Sequence, residues 1–391
     1  MGRENAAGGG SVLGAGVLLA GVLGSLHAFS VLIAPFEQRF AAPRAEVSLT
    51  YSMALLAVTV AVLLGDRAYR ALAPARLATA IGLLAASGLA VAALASHVWQ
   101  LWLGYSLLFG LANGLGYGFS LHAAGQSNPG RAGRAMGLVT AAYALGAAVT
   151  PFALSSWLSS DAVPLALLLL AAAILAAASI AAVLLARSGF ALRTVQGRGA
   201  PGETSRWPLM ALLWVGYGTG AAAGLMAIGH ASEIARSHGA QDSWALAAIT
   251  LLSLANMGGS IAGGLAVDRY GVLPPLLGLP LLSAAGLVAL AYLPGATAAL
   301  FCLAIVGFAY GATIAAYPAA VTRLVGPLLA VRAYGVVFTA WGLAGLVAAW
   351  SAGLLFDVTG SYRASLLAAA AVALLSALSI LGGRTVLRSS S

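Results

Sequence analysis

Twelve apolar stretches, each long enough to cross about 30 Å of hydrocarbon at 1.5 Å per residue, occupy most of this sequence. Their approximate limits are 12–36, 46–65, 77–97, 100–125, 135–158, 163–186, 208–234, 243–267, 272–293, 298–322, 333–356 and 364–383. In lipid, a stretch of this length satisfies its own backbone N–H and C=O groups only as a helix. The expected class is therefore an all-α membrane protein with 12 transmembrane helices. Composition agrees, because only 7% of the 391 residues are charged, against about 25% in an ordinary soluble domain. The first run is too long for a signal-peptide core and reads as a span. Ala6 breaks the myristoylation pattern.

The formal charge of +9 comes from 19 basic residues, all arginine, set against 10 acidic ones. The arginines fall in ones and twos between apolar runs, so they orient the chain and do not form a nucleic-acid surface. With the N-terminus in the cytoplasm, 15 arginines lie inside and four (Arg39, Arg44, Arg236 and Arg363) lie outside. This asymmetry predicts a multi-pass protein of the cytoplasmic (inner) membrane with both termini cytoplasmic. Cys302, the single cysteine, sits in an apolar run and reads as a buried, inert thiol.

The longest polar stretch lies near the middle and divides six spans from six. The expected organisation is a cytoplasmic tail over 1–11, a six-helix bundle over 12–186, a cytoplasmic linker over 187–207, a second bundle over 208–383 and a tail over 384–391. An internal repeat supports this division. Asp66-Arg67 is echoed by Asp268-Arg269 at an offset of 202, and Gly110-Leu-Ala-Asn113-Gly114 by Gly307-Phe-Ala-Tyr310-Gly311 at 197. Arg134-Ala-Met-Gly137, leading to Tyr143, is echoed by Arg332-Ala-Tyr-Gly335, leading to Trp341, at 198. Two parallel six-helix halves related by a pseudo-two-fold axis along the membrane normal are the pattern of the major facilitator fold.

Local sequences narrow the resemblance. Phe29 to Phe40, with Pro35, leads into Pro43-Arg44-Ala-Glu46-Val-Ser48; span 7 holds Gly224-Leu-Met226-Ala-Ile-Gly229-His230. Arg332-Ala-Tyr334-Gly335 is followed by Asp357-Val-Thr-Gly360-Ser-Tyr362. Together these resemble the monocarboxylate and oxalate/formate porters of the major facilitator superfamily. The resemblance implies a secondary transporter whose solute binds between the halves, in a cavity lined by spans 1, 4, 7 and 10. It also implies two departures. The family's span 8 arginine is here Ser260, and the span 11 lysine of oxalate porters is here Trp341. A carboxylate buried without a cation or several donors is strongly disfavoured, so a dicarboxylate does not fit. A monocarboxylate held by hydroxyl, amide, indole and imidazole donors, and entering with a proton, is the expected solute.

Ionisable residues inside a span are functional candidates, because burial alone destabilises them. His27 in span 1, His122 in span 4 and His230 late in span 7 are the candidates for proton coupling, since an imidazole can gain a proton near physiological pH. The expected solute ligands are His27, Asn113, Tyr117, His122, Tyr143, Asn256, Ser260, Tyr310 and Trp341. Asp66, Arg67, Asp268 and Arg269 resemble the superfamily's inter-helix loop motif and form the expected cytoplasmic gate. His97 and His238 read as solvated loop residues, and the glycines of span 4 as close-packing surfaces.

No nucleophile–base pair, paired carboxylates or nucleotide motif occurs, so no enzyme activity and no cofactor are expected. Met226, His230 and Met257 would suit a soft metal such as Cu(I), but the resemblance already accounts for Met226 and His230. The expected partners are a small organic anion, protons and the lipid bilayer, with no nucleic acid, and the expected assembly is a monomer. The alternative is an exporter of neutral or cationic amphiphiles, for which an uncharged aromatic cavity is equally suited.

Overall fold

The computed structural model describes residues 2–154, 162–193, 207–385 and 387; most of the interhelical linker, at 194–206, and the end of the C-terminal tail lie outside them. The described residues contain helices and no strand. Eleven helical stretches among them are long and apolar enough to cross a membrane. The remaining span is a passage of mixed pitch. It comprises α5 (Val98–Leu101), a π-helical stretch (Trp102–Phe109) and α6 (Gly110–Ser127), a helix that carries Asn113, Ser120, His122 and Gln126.

Span 1 also changes pitch. It starts as α1 (Gly2–Leu23), so the segment assigned to a polar tail is already helical, tightens to a 3-10 helix over Gly24–Leu32 and resumes as α2 (Ile33–Phe40). Each change of pitch removes carbonyl partners, and span 4 supplies replacements. Asn113 Nδ2 donates to Leu23 O at 2.5 Å and Tyr105 Oη to Leu26 O at 2.9 Å. The other helices of the first half are α3 (Arg44–Ala71), α4 (Pro74–Ala93), α7 (Ala132–Leu154) and α8 (Val163–Ser188). The second half has α9 (Trp207–Gly229), a short α10 (Ala231–Ser237), α11 (Asp242–Tyr270), α12 (Leu273–Tyr292), α13 (Ala296–Val325), α14 (Pro327–Thr359) and α15 (Tyr362–Gly382).

Where lipid removes most of the hydrophobic drive for helix association, small residues let backbones meet. The repeated glycines do this. A Cβ on Gly110 or Gly114 of α6 would meet Ala54 O at 2.9 Å or Val58 O at 2.3 Å on α3. On the α11–α13 contact, a Cβ on Gly307 would meet Leu252 O at 2.5 Å and one on Gly311 would meet Asn256 O at 2.0 Å. The Gly-x-x-x-Gly spacing shared by the two halves is thus a packing device, as expected for the glycines of span 4. Two arginines serve as helix caps. Arg39 donates to Ala93 O at the end of α4 and to Ala95 O just beyond it, and Arg323 to Val267 O near the end of α11.

By compactness the chain divides into one unit of Met1–Gly130 with Ala142–Thr194 and a second of Arg131–Ala141 with Val195–Ser391. The main division falls within 187–207, and Arg131–Ala141 joins the second unit because Gly133 and Gly137 pack directly on the backbone of α11. A Cβ on either would meet Gly264 O at 2.3 Å or Ser260 O at 2.7 Å.

Candidate functional site

In the first unit, the 3-10 segment brings His27 against two tyrosines. His27 Nδ1 lies 2.5 Å from Tyr51 Oη on α3, with the ring centroids 5.9 Å apart. Tyr143 of α7 meets the imidazole edge to face at 5.3 Å. All three side chains are half-buried. The bond to Tyr51 is the one recorded for His27, so among the described residues Nε2 has no hydrogen-bond partner. A ring held at Nδ1 presents Nε2 as the position to take up a proton or meet an acidic solute.

Behind this group, Tyr143 Oη donates to Asn113 Oδ1 at 2.7 Å, and its ring packs at a tilt against Tyr117 with centroids 4.9 Å apart. Asn113 is fully buried, with its amide used at both ends. It braces span 1 and Tyr143, so it acts on the histidine group from behind. His122 is buried too. It lies nine residues beyond Asn113 on α6, roughly 13 Å further along the axis, and so belongs to a different layer. Tyr51 went unrecognised in the sequence. Its signal was indirect: a histidine inside a span needs a partner, and a neighbouring span offers Tyr51.

In the second unit, Trp341 Nε1 on α14 donates to Tyr310 Oη on α13 at 3.0 Å, and Phe338 stacks on the indole at 4.9 Å. Tyr310 also packs on α9, where a Cβ at Gly224 would meet its ring at 2.5 Å. The helix contact between α11 and α13 brings Asn256 beside Gly311, the residue after Tyr310. Ser260 is fully buried and its hydroxyl donates back to Asn256 O at 3.0 Å. His230 sits where α9 breaks into α10, with Tyr362 Oη 3.3 Å from Nδ1. A separate cavity of about 300 Å³ lies among α9, α14 and α15, lined almost wholly by aliphatic side chains such as Val215, Leu343 and Val372. Trp214 on its wall donates to Thr339 Oγ1 at 2.8 Å.

Asp66, buried near the end of α3, pairs with Arg70 at 2.9 Å, and Arg67 is exposed. Asp268 accepts two backbone N–H groups at the start of α7, from Gly133 at 2.9 Å and Arg134 at 2.7 Å. A carboxylate there satisfies orphan donors and complements the positive end of the helix. Arg269 is exposed and lies over the Tyr270 ring at 5.4 Å.

Residues 13–349 match the sequence profile of the Major Facilitator Superfamily. An uncharacterized MFS-type transporter of Escherichia coli (strain K12), YhjX, is 24% identical over 328 residues, covering 82% of each chain. Among solved structures, the proton:xylose symporter XylE matches with a TM-score of 0.74 at 14% identity over 94% of each chain. The fucose:proton symporter FucP of E. coli matches at 0.68 and 15%, over 95% of this chain and 97% of its own. A bacterial homologue of the iron transporter ferroportin, in an outward-facing state, matches at 0.74 and 14%, over 96% and 98%. At such identities these structures bear on the fold alone.

Proposed function

We propose that this chain, which belongs to the major facilitator superfamily and is a membrane transporter rather than an enzyme, moves a small monocarboxylate of the lactate, pyruvate or formate class by proton-coupled alternating access. The observation that carries this reading is His27, half-buried in span 1, held at Nδ1 by Tyr51 and without a hydrogen-bond partner at Nε2 among the described residues. Protonated, the imidazole is a cation with a fixed direction, able to balance a carboxylate where the porters that the sequence resembles use arginine or lysine. Release of the proton with the solute returns a neutral site. Tyr143 and Tyr51 supply the amphipathic walls that a small organic acid needs. Asp268 at the start of α7 supports the gate reading, with its two hydrogen bonds broken and remade in each cycle. The arginine asymmetry supports an inner-membrane orientation with both termini cytoplasmic.

Purified protein in liposomes is expected to take up labelled lactate, pyruvate or formate faster under an inward proton gradient. His27→Gln should keep solute exchange but flatten the pH dependence of net uptake, because glutamine hydrogen-bonds without titrating. An unchanged pH profile would remove His27 from the coupling step. Tyr51→Phe, which frees Nδ1, should raise the KM for uptake about fivefold to tenfold, the effect of roughly 1–1.5 kcal/mol. A second reading, export of neutral or cationic amphiphiles, draws support from the aliphatic cavity among α9, α14 and α15. Stabilisation by hydrophobic amines, with no uptake of any of the three acids, would favour it over the first.

A further inference from the structure

His238, which the sequence presents as a solvated loop residue, is half-buried and has both ring nitrogens on backbone carbonyls. Nδ1 is 2.8 Å from Ile234 O, in the last turn of α10, and Nε2 is 2.9 Å from Leu290 O, in the last turn of α12. A carbonyl oxygen only accepts, so each contact needs an N–H on the ring. A neutral imidazole has one, and its other nitrogen would set a lone pair against a carbonyl lone pair. Only the imidazolium satisfies both carbonyls; the Ser237 hydroxyl, 3.3 Å from Nδ1, donates at 2.7 Å to the same Ile234 O.

The acceptors are unusually well suited to a cation. The α-helical partner of Leu290 O would be the N–H of residue 294, which is Pro294 and has none. Both carbonyls also lie at helix C-termini, where the backbone dipole favours positive charge. We propose that protonated His238 is a pH-sensitive bolt. Charged, it ties α10, the continuation of span 7 beyond the break at His230, to the end of α12; neutral, it loses one of the two bonds and α10 loosens.

The surrounding ionisable groups leave this role to His238. On α10, Glu233 and Arg236 pair with each other, and His230 is turned to Tyr362. On α12, Tyr292 lies under the Arg363 guanidinium of α15 at 4.3 Å. Asp242 opens α11, and the first turns of α13 carry no ionisable residue.

The test is hydrogen–deuterium exchange of residues 231–240 in the full-length protein in lipid nanodiscs. Protection factors, corrected for intrinsic exchange, are compared at about pH 5.5 and pH 8, the range in which histidine changes charge. In the unmodified protein, protection of this segment should fall about tenfold at the higher pH, the value of one charge-assisted hydrogen bond. His238→Gln, which keeps a donor but no charge, should show the lower protection at both pH values. His230→Gln should keep the pH dependence, which separates the two imidazoles of the segment. Equal protection of the unmodified protein at both pH values, or a pH dependence that survives His238→Gln and vanishes in His230→Gln, would overturn the proposal. The readout needs no solute, so it stands or fails independently of what the protein carries.

Discussion

Replacement of Gly146 by valine is expected to remove most of the folded protein, seen as loss of the monodisperse peak in size-exclusion chromatography. Where α7 crosses span 1, a Cβ at Gly146 would lie 1.8 Å from Gly21 O, and one at Gly24 would lie 2.0 Å from Tyr143 O. Both obstacles are backbone, so no side-chain rotation relieves them and the helices must separate. Overpacking that a core can absorb costs typically 1–3 kcal/mol. Here the displaced segment also holds Tyr143 against His27, so the effect lies at or above that range. Any protein that does fold should melt at least about 2 °C lower, by the roughly 2–4 °C per kcal/mol seen in larger domains, and should transport nothing. Gly14→Ala provides the control, because a Cβ there meets nothing within 4 Å. It should be neutral or slightly stabilising. Normal yield and melting of Gly146→Val would show that this crossing is looser than its backbone distances require.

The second large effect concerns Asp268. Its carboxylate takes two N–H groups from the first turn of α7, and hydrogen bonds to a charged group contribute about 1.5–3 kcal/mol each. Asp268→Ala leaves both donors without that acceptor and should lower the initial rate of labelled lactate uptake at least tenfold. Asp268→Asn retains one acceptor and should fall between. Equal rates for Asp268→Ala and the unmodified protein would remove Asp268 from the cycle.

Much of the architecture was legible in the residues. Long apolar runs leave a chain in lipid no choice but helices, and the repeated Gly-x-x-x-Gly marked close crossings that are present in both halves. What could not be read were changes of pitch. In a run as uniformly apolar as 12–36, periods of 3.0 and 3.6 leave the same trace, so nothing marked the tightening at Gly24. The site was legible as a list of residue types and less so as an assembly. His27 and Tyr143 meet, whereas Asn113 and Ser260 turn their polar atoms to backbone carbonyls or to Tyr143. The contact of Asp268 had a trace in the sequence: four residues after it stands Val272, which cannot pair with it.

The tightened segment at Gly24–Leu32 has a mechanical meaning. Nine residues at 3-10 rise are about 4.5 Å longer than the same residues in α pitch, and each advances about 20° further around the axis. Rewinding from Gly24 would turn His27 by about 60° and draw α2 inward by up to that length, with no change in the number of residues crossing the membrane. Tyr105 and Asn113, which hold the carbonyls of Leu26 and Leu23, make the two hydrogen bonds that such a rewinding would have to break.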